Sequence, residues 1–255
     1  MLITNVKKYK FYSKVTYLDK VYNIENEILI KYQLDTGKHF NEETFNEIYK
    51  ESVYYYYNRI ALNKLKRMLT KTEVIIFLKE NEAPDEIIKS LINKYIRNGY
   101  INDEYYTRFY IESRYFREGP KQILKKLLEK GIDKDLIESV LETFDESESI
   151  KEYIYRRVKK IKNKTKKQVI AQLKRELITK GYSFDLSNKL VNDLILDFEF
   201  NDKSLIDKEF NKLFKRHSKK KEAHELKYYI RNNLYQKGFN KNLIDEVFNK
   251  NDNLF

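Results

Sequence analysis

The chain has 255 residues, 41% of them apolar, enough for a sizeable core, and its lack of cysteine excludes disulfides, thiolate metal sites and a cysteine nucleophile. Its formal charge of +12 invites a polyanionic partner, although 40 lysines against 11 arginines, with abundant Tyr, Asn and Ile, is also what an AT-rich coding sequence produces. No 18 apolar residues run together and the start, MLITNVKKYK, lacks the apolar core of a secretory signal, so a soluble cytoplasmic protein without membrane association is expected.

Phe11, Ser13, Val15 and Tyr17 alternate as on one face of a strand, and Leu18-Asp19-Lys20 offers a turn into Val21-Tyr22-Asn23-Ile24. A short helix from Glu25 to Leu34 should follow, ending at Asp35-Thr36-Gly37. Asn41 then opens a helical region through Leu69 that is long for one helix, so a bend is expected near Glu51-Ser52.

The best-punctuated stretch runs from Gly99 to Leu141 and reads as three short helices. Asn102 and Asp103 can cap the first, which carries Tyr106, Phe109, Tyr110 and Ser113. Gly119-Pro120 ends it and starts the second, which should bury Ile123, Leu127 and Leu128 and stop at Lys130-Gly131. Gly131 suits a left-handed C-terminal position, Ile132 can fold back on the last turn, and Asp133 can cap a third helix bearing Leu136, Ile137, Val140 and Leu141.

This pattern recurs. Shifted back by 49 residues, Arg108 falls on Arg59, Tyr105 and Tyr106 on Tyr56 and Tyr57, Ile123 on Val74, and Leu136-Ile137 on Ile87-Ile88. Thr70-Lys-Thr-Glu73 supplies a capping box, while Asn81-Glu82-Ala83-Pro84 stands where the other copies have Lys-Gly. Thr165-Lys-Lys-Gln168 is a second box, followed by Val169, Leu173, Leu177 and Lys180-Gly181-Tyr182-Ser183; 57 residues on come Leu226, Ile230, Leu234 and Lys237-Gly238-Phe239-Asn240. These two copies hold one extra turn in the second helix, which preserves its buried face. The reading is a mainly α protein: tandem three-helix repeats forming an elongated, curved array, with a small N-terminal β-containing cap. The cap spans residues 1–50 and the repeats 51–101, 102–144, 145–200 and 201–255, the last with a C-terminal tail. Gly99, Asp103, Gly119, Pro120, Gly131, Gly181 and Gly238 mark the repeats.

GYINDEYYTRFYIESR followed by GPKQILKKLLEKGIDKDLIESVL closely resembles the central repeat of the RecX family, regulators of the RecA recombinase. The N-terminal strands with LDTGKHF resemble that family's N-terminal region, and the C-terminal copies resemble its longer members. The resemblance implies a monomeric, non-enzymatic modulator in recombination, DNA repair and the SOS response. Such a protein binds the groove of the RecA filament on single-stranded DNA, with DNA met directly or through RecA, and restrains ATP hydrolysis and strand exchange.

The residues themselves offer no catalytic centre. No Walker-type phosphate loop is present, and His39, His217 and His224 lack thiolate or clear carboxylate companions, so no cofactor or metal is expected. Pro84-Asp85 with the distant Glu225-Leu226-Lys227 reads as helical and not as the strand-borne carboxylates of a nuclease. Charge is more informative. Between Arg156 and Lys180 stand eleven basic residues opposed only by Glu176, and Ile150, Ile154, Val158 and Ile161 form a buried stripe that leaves most of the first cations on the polar side. Candidate filament or phosphate contacts here are Arg156, Arg157, Lys159, Lys160, Lys162, Lys166 and Lys167, with Lys219 and Lys220 in a second run that includes Lys215, Arg216 and Lys221. Arg108, Arg114, Lys121 and Lys125 are candidates in the central repeat, and Arg114 and Arg117 have helix-end neutralisation as a competing role. A solvated lysine-rich face competes with the contact reading throughout, and sequence-independent DNA or RNA binding is the alternative function.

Overall fold

Residues 2–254 are described by a computed structural model. Strands β1 (Ile3–Lys8), β2 (Tyr12–Tyr17) and β3 (Lys20–Glu25) form one antiparallel sheet in the order β1-β2-β3. Leu18 and Asp19 both take positive φ, 50° and 58°, which closes β2 onto β3 through a two-residue turn whose twist matches the strands. Ser13, Val15 and Tyr17 point into the core as the alternation requires. Phe11, expected on that face, instead lies just before β2 and is 51% exposed, because the chain is still turning there.

The first helix, α1 (Asn26–Lys31), is shorter than expected and starts after Glu25, which remains in β3. Next, α2 (Glu42–Lys64) runs as one 23-residue helix, without the break expected near Glu51-Ser52. Its front half packs on the sheet, with Tyr17 and Phe45 stacked at 3.9 Å between centroids; its rear half contributes Tyr57 and Ala61 to a separate core. Ser52 sits at the changeover and accepts the Glu25 amide at 2.8 Å, so two sets of partners hold what propensity alone would let fray.

The remaining helices among the described residues are α3 (Lys71–Glu80), α4 (Asp85–Arg97), α5 (Asp103–Arg114), α6 (Pro120–Glu129), α7 (Lys134–Leu141), α8 (Glu146–Val158), α9 (Lys166–Thr179), α10 (Phe184–Leu194), α11 (Asp202–His217), α12 (Ala223–Gln236) and α13 (Lys241–Lys250). The fold is mainly α with a small N-terminal sheet. α9 and α12 have 14 residues against 10 for α3 and α6, the extra turn read from the spacing. Gly99, Gly131, Gly181 and Gly238 all take positive φ at helix ends; Glu82 takes φ 60° where the first copy lacks glycine. Leu128, read as buried with Ile123 and Leu127, is 42% exposed. Ile123 and Leu127 are buried as expected, and on α5 Tyr106 and Ile111 are buried while Phe109 is 51% exposed.

Two compact units result: Met1–Arg108 with Leu128–Asp133, and Phe109–Leu127 with Lys134–Phe255. The first holds the core under the sheet and a second core built on Val74, Leu78, Leu91 and Tyr95. The other holds one core around Ile154, Leu173 and Val191 and another around Phe210, Ile230 and Ile244.

Within each unit the end of one helix caps the start of another. In the first, Thr70 accepts the Glu73 amide in a closed capping box and donates its hydroxyl to the Lys130 carbonyl at 2.8 Å, while Thr72 donates to the Gly131 carbonyl at 3.0 Å. In the second, Thr165 does the same at α9, donating to the Lys237 carbonyl at 2.8 Å. Also in that unit, the Gly119 and Lys121 amides at the start of α6 donate to the Lys180 and Gly181 carbonyls. Helix termini leave four amides or four carbonyls unpaired, and these junctions pair the two kinds with each other. The positive end of one helix dipole thereby meets the negative end of the next.

Candidate basic interface

The C-terminal half of α8 and the connection to α9 carry the densest cation run. Asp145 caps α8 by accepting the Glu148 amide at 3.0 Å, and Ile150, Ile154 and Val158 bury one face, which sets Arg156 and Lys159 outward. Asn163 takes φ 58°, which turns the chain into the Thr165 cap.

Arg157 does not belong to an open surface. Its Nε and Nη2 donate to both oxygens of Glu176 at 2.8 and 2.7 Å. The Tyr153 hydroxyl and Gln172 amide donate to the same carboxylate at 2.6 and 2.7 Å. Arg157 above all, with Tyr153 and Gln172, holds the Glu176 carboxyl down at about 2 against an ordinary 4.5, and Glu176 holds the guanidinium higher still. The fork is a bidentate, charge-assisted pair that pins α8 to α9. Arg156 is also engaged: its guanidinium meets Glu152 at 3.1 Å, donates to the Phe116 carbonyl at 3.0 Å, and lies 5.4 Å from the Phe116 ring centroid. Lys180 donates to the Arg117 carbonyl at 2.9 Å, in the turn that follows α5.

Lys159, Lys160 and Lys162 remain, all exposed and without an ion pair among the described residues. Lys167 is exposed next to them; Lys166 is half-buried, and its amide lies at the carboxyl of Asp202, whose pKa is raised by burial. A parallel relation holds in the first unit, where Asp103 accepts the Lys71 amide at 2.9 Å. The other central candidates fare differently. Arg108 pairs with Glu104 four residues back at 3.0 Å, and Arg114 is half-buried with its guanidinium 5.6 Å from the Tyr110 centroid. Lys121 and Lys125 are exposed on α6.

The second run is better organised than its sequence suggests. Lys208, Asn211, Lys212, Lys215 and Arg216 line one shallow concavity on α11, and Lys219 and Lys220 continue just past its end. Spacings of four and three residues put Lys208, Lys212 and Lys215 on one stripe of α11. Lys208 and Lys212 were outside the expected contacts, although that spacing is legible in the sequence. Lys221 is instead held by Glu225 and lies 5.1 Å from the Tyr229 ring centroid. Among the described residues, no cluster of three or more His, Asp or Glu side chains could hold a metal ion, and no helix is long and apolar enough to cross a membrane.

Comparison with known proteins places this fold. The regulatory protein RecX of Streptococcus sanguinis is 27% identical over 246 residues, which covers 94% of this chain and 95% of that one. RecX of Staphylococcus carnosus is 27% identical over 240 residues, 90% and 89% of the two chains. A crystal structure of RecX from Lactobacillus salivarius is 26% identical, with a TM-score of 0.51 over 56% of this chain and 97% of that one. Along nearly its whole length the chain is similar to RecX proteins. No protein-family model matches it. A second crystal structure, of a regulatory protein RecX, shares the fold at 21% identity, with a TM-score of 0.56 over 76% of this chain and all of that one. Regulation, and not catalysis, is what the relatives' names carry.

Proposed function

We propose that this chain is a cytoplasmic, monomeric regulator of RecA that binds the RecA filament on single-stranded DNA in its groove and restrains ATP hydrolysis and strand exchange. The observation that carries the reading is likeness to RecX proteins along nearly the whole chain, 94% of it for the Streptococcus sanguinis relative. The unpaired cations Lys159, Lys160 and Lys162, with Lys166 and Lys167 beside them, supply an electrostatic surface for acidic protein or DNA phosphate. Arg156 and Arg157 lie beside that surface within their own ion pairs, which leaves the lysines as its uncommitted cations.

The test is co-sedimentation with RecA filaments assembled on single-stranded DNA. The chain should pellet with filaments and stay in solution with RecA or DNA alone at physiological salt. A second reading, sequence-independent nucleic-acid binding without RecA, is favoured by the α11 stripe, whose lining residues include four cations and no acid. It predicts pelleting with bare DNA whether or not RecA is present.

A further inference from the structure

A groove of about 840 Å³ lies in the first unit, where the approach to β2 meets α2 and the end of α3. One wall is built around Arg59. Its guanidinium donates to both oxygens of Glu25 at 2.7 and 2.9 Å, and lies 4.9 Å from the Phe11 ring centroid and 5.6 Å from that of Tyr56. This pair is locked and internally neutral, so it gives the groove a rigid aromatic wall with an exposed Phe11 ring and no net charge. Near the other end, the Lys64 ammonium sits 5.1 Å from the Phe77 ring centroid, and Lys66 and Arg67 are exposed without an ion pair among the described residues.

The remaining cations outnumber the remaining acid: Lys64, Lys66 and Arg67 stand against Glu27. Carboxamides complete the lining. Asn63 is exposed, and Asn81 commits its amide nitrogen to the Phe77 carbonyl at 2.8 Å. Carboxamides accept and donate alike, which suits peptide main chain.

We propose that this groove binds an acidic segment of a partner protein, its carboxylates at Lys64, Lys66 and Arg67 and an aromatic or aliphatic side chain against Phe11 and Phe77. Charge complementarity selects carboxylates, and the aromatic wall selects apolar side chains between them. A nucleic acid is the poorer fit, because a phosphodiester chain brings a charge at every nucleotide, whereas the lining offers three uncommitted cations beside the Glu27 carboxylate and a neutral aromatic wall. On the α11 stripe no acid stands in the lining.

Fluorescence anisotropy on the full chain tests this. The probe is a fluorescein-labelled twelve-residue peptide, half Asp and Glu with two Phe; the comparisons are the same peptide with Asn and Gln for the acids, with Gly for Phe, and labelled oligo-dT of equal length. Lys64→Glu/Lys66→Glu/Arg67→Glu should weaken the acidic aromatic peptide about tenfold or more, and Phe11→Ala about threefold. The control Lys89→Glu/Lys189→Glu/Lys241→Glu changes charge equally at exposed sites elsewhere and should stay within about twofold of wild type. Circular dichroism confirms that each variant folds. No binding at about 1 mM peptide, equal loss in both triple variants, or dependence on the groove for oligo-dT but not for peptide would overturn the proposal. The assay contains no recombinase, so its failure leaves filament regulation standing, and failure of filament regulation leaves the groove's peptide affinity standing.

Discussion

Thr165 donates its hydroxyl to the Lys237 carbonyl at 2.8 Å while accepting the Gln168 amide at 3.2 Å, so one buried side chain caps the start of α9 and the end of α12 together. Thr70 stands in the same relation to the Lys130 carbonyl and the Glu73 amide. Valine keeps the volume and removes both bonds. Thr70→Val and Thr165→Val should each cost about 1–2 kcal/mol, read as a lower urea midpoint. A midpoint unchanged from wild type would mean that the junctions contribute nothing.

Three glycines separate backbone strain from crowding. Gly99 has φ 74° and open space around an added Cβ, so Gly99→Ala should cost about 1 kcal/mol from the left-handed backbone alone. At Gly119 a Cβ would lie 2.5 Å from the Gly181 carbonyl carbon and the Tyr182 nitrogen, both main chain, so Gly119→Ala should cost about 1–3 kcal/mol from crowding. Gly181 combines φ 87° with a Cβ 2.5 Å from the Gln122 nitrogen, and its alanine variant should be the least stable of the three. Equal melting temperatures across the set would contradict the geometry.

The Glu176 carboxyl sets an acid limit. Its folded pKa of about 2 lies below the ordinary 4.5, so the pair's contribution is fully present above about pH 4.5 and is lost as pH falls toward 2. Glu176 and Arg157 are both partly exposed, so screening trims the effect; Glu176→Gln should cost about 1–2 kcal/mol at neutral pH. The gap between variant and wild type, followed by denaturation at a series of pH values, should close on acidification. A gap that widens in acid would reverse the assignment.

Much of this was legible in the sequence. Lys-Gly stops and capping boxes act over a few residues, so Gly131, Gly181, Gly238, Thr70 and Thr165 announce their own geometry. The partners of those caps lie 60 and 72 residues away and leave no local trace, which is why the junctions emerge only in three dimensions. Leu128 is exposed, against expectation, for a related reason: a helix with apolar residues on several sides is oriented by its neighbours and not by its own pattern. Among the charges, Glu176 was visible as the lone acid in a basic run, yet only the fold shows that it neutralises Arg157 specifically.

That correction changes which charges to reverse. Lys159→Glu/Lys160→Glu/Lys162→Glu should weaken action on filaments with helicity unchanged, whereas reversing Arg157 would break a structural pair. If all three lysines meet phosphate, the salt dependence of single-strand binding should become shallower by about 2, at about 0.7 per phosphate. An unchanged slope would remove phosphate from their role.

The most direct measurement is a titration of the chain into DNA-stimulated RecA ATPase, with filaments watched in parallel by electron microscopy. Hydrolysis should fall with added chain while the chain decorates filaments, and the triple lysine variant should require a higher concentration for the same effect. Undiminished hydrolysis with no chain bound to the filaments would contradict the account.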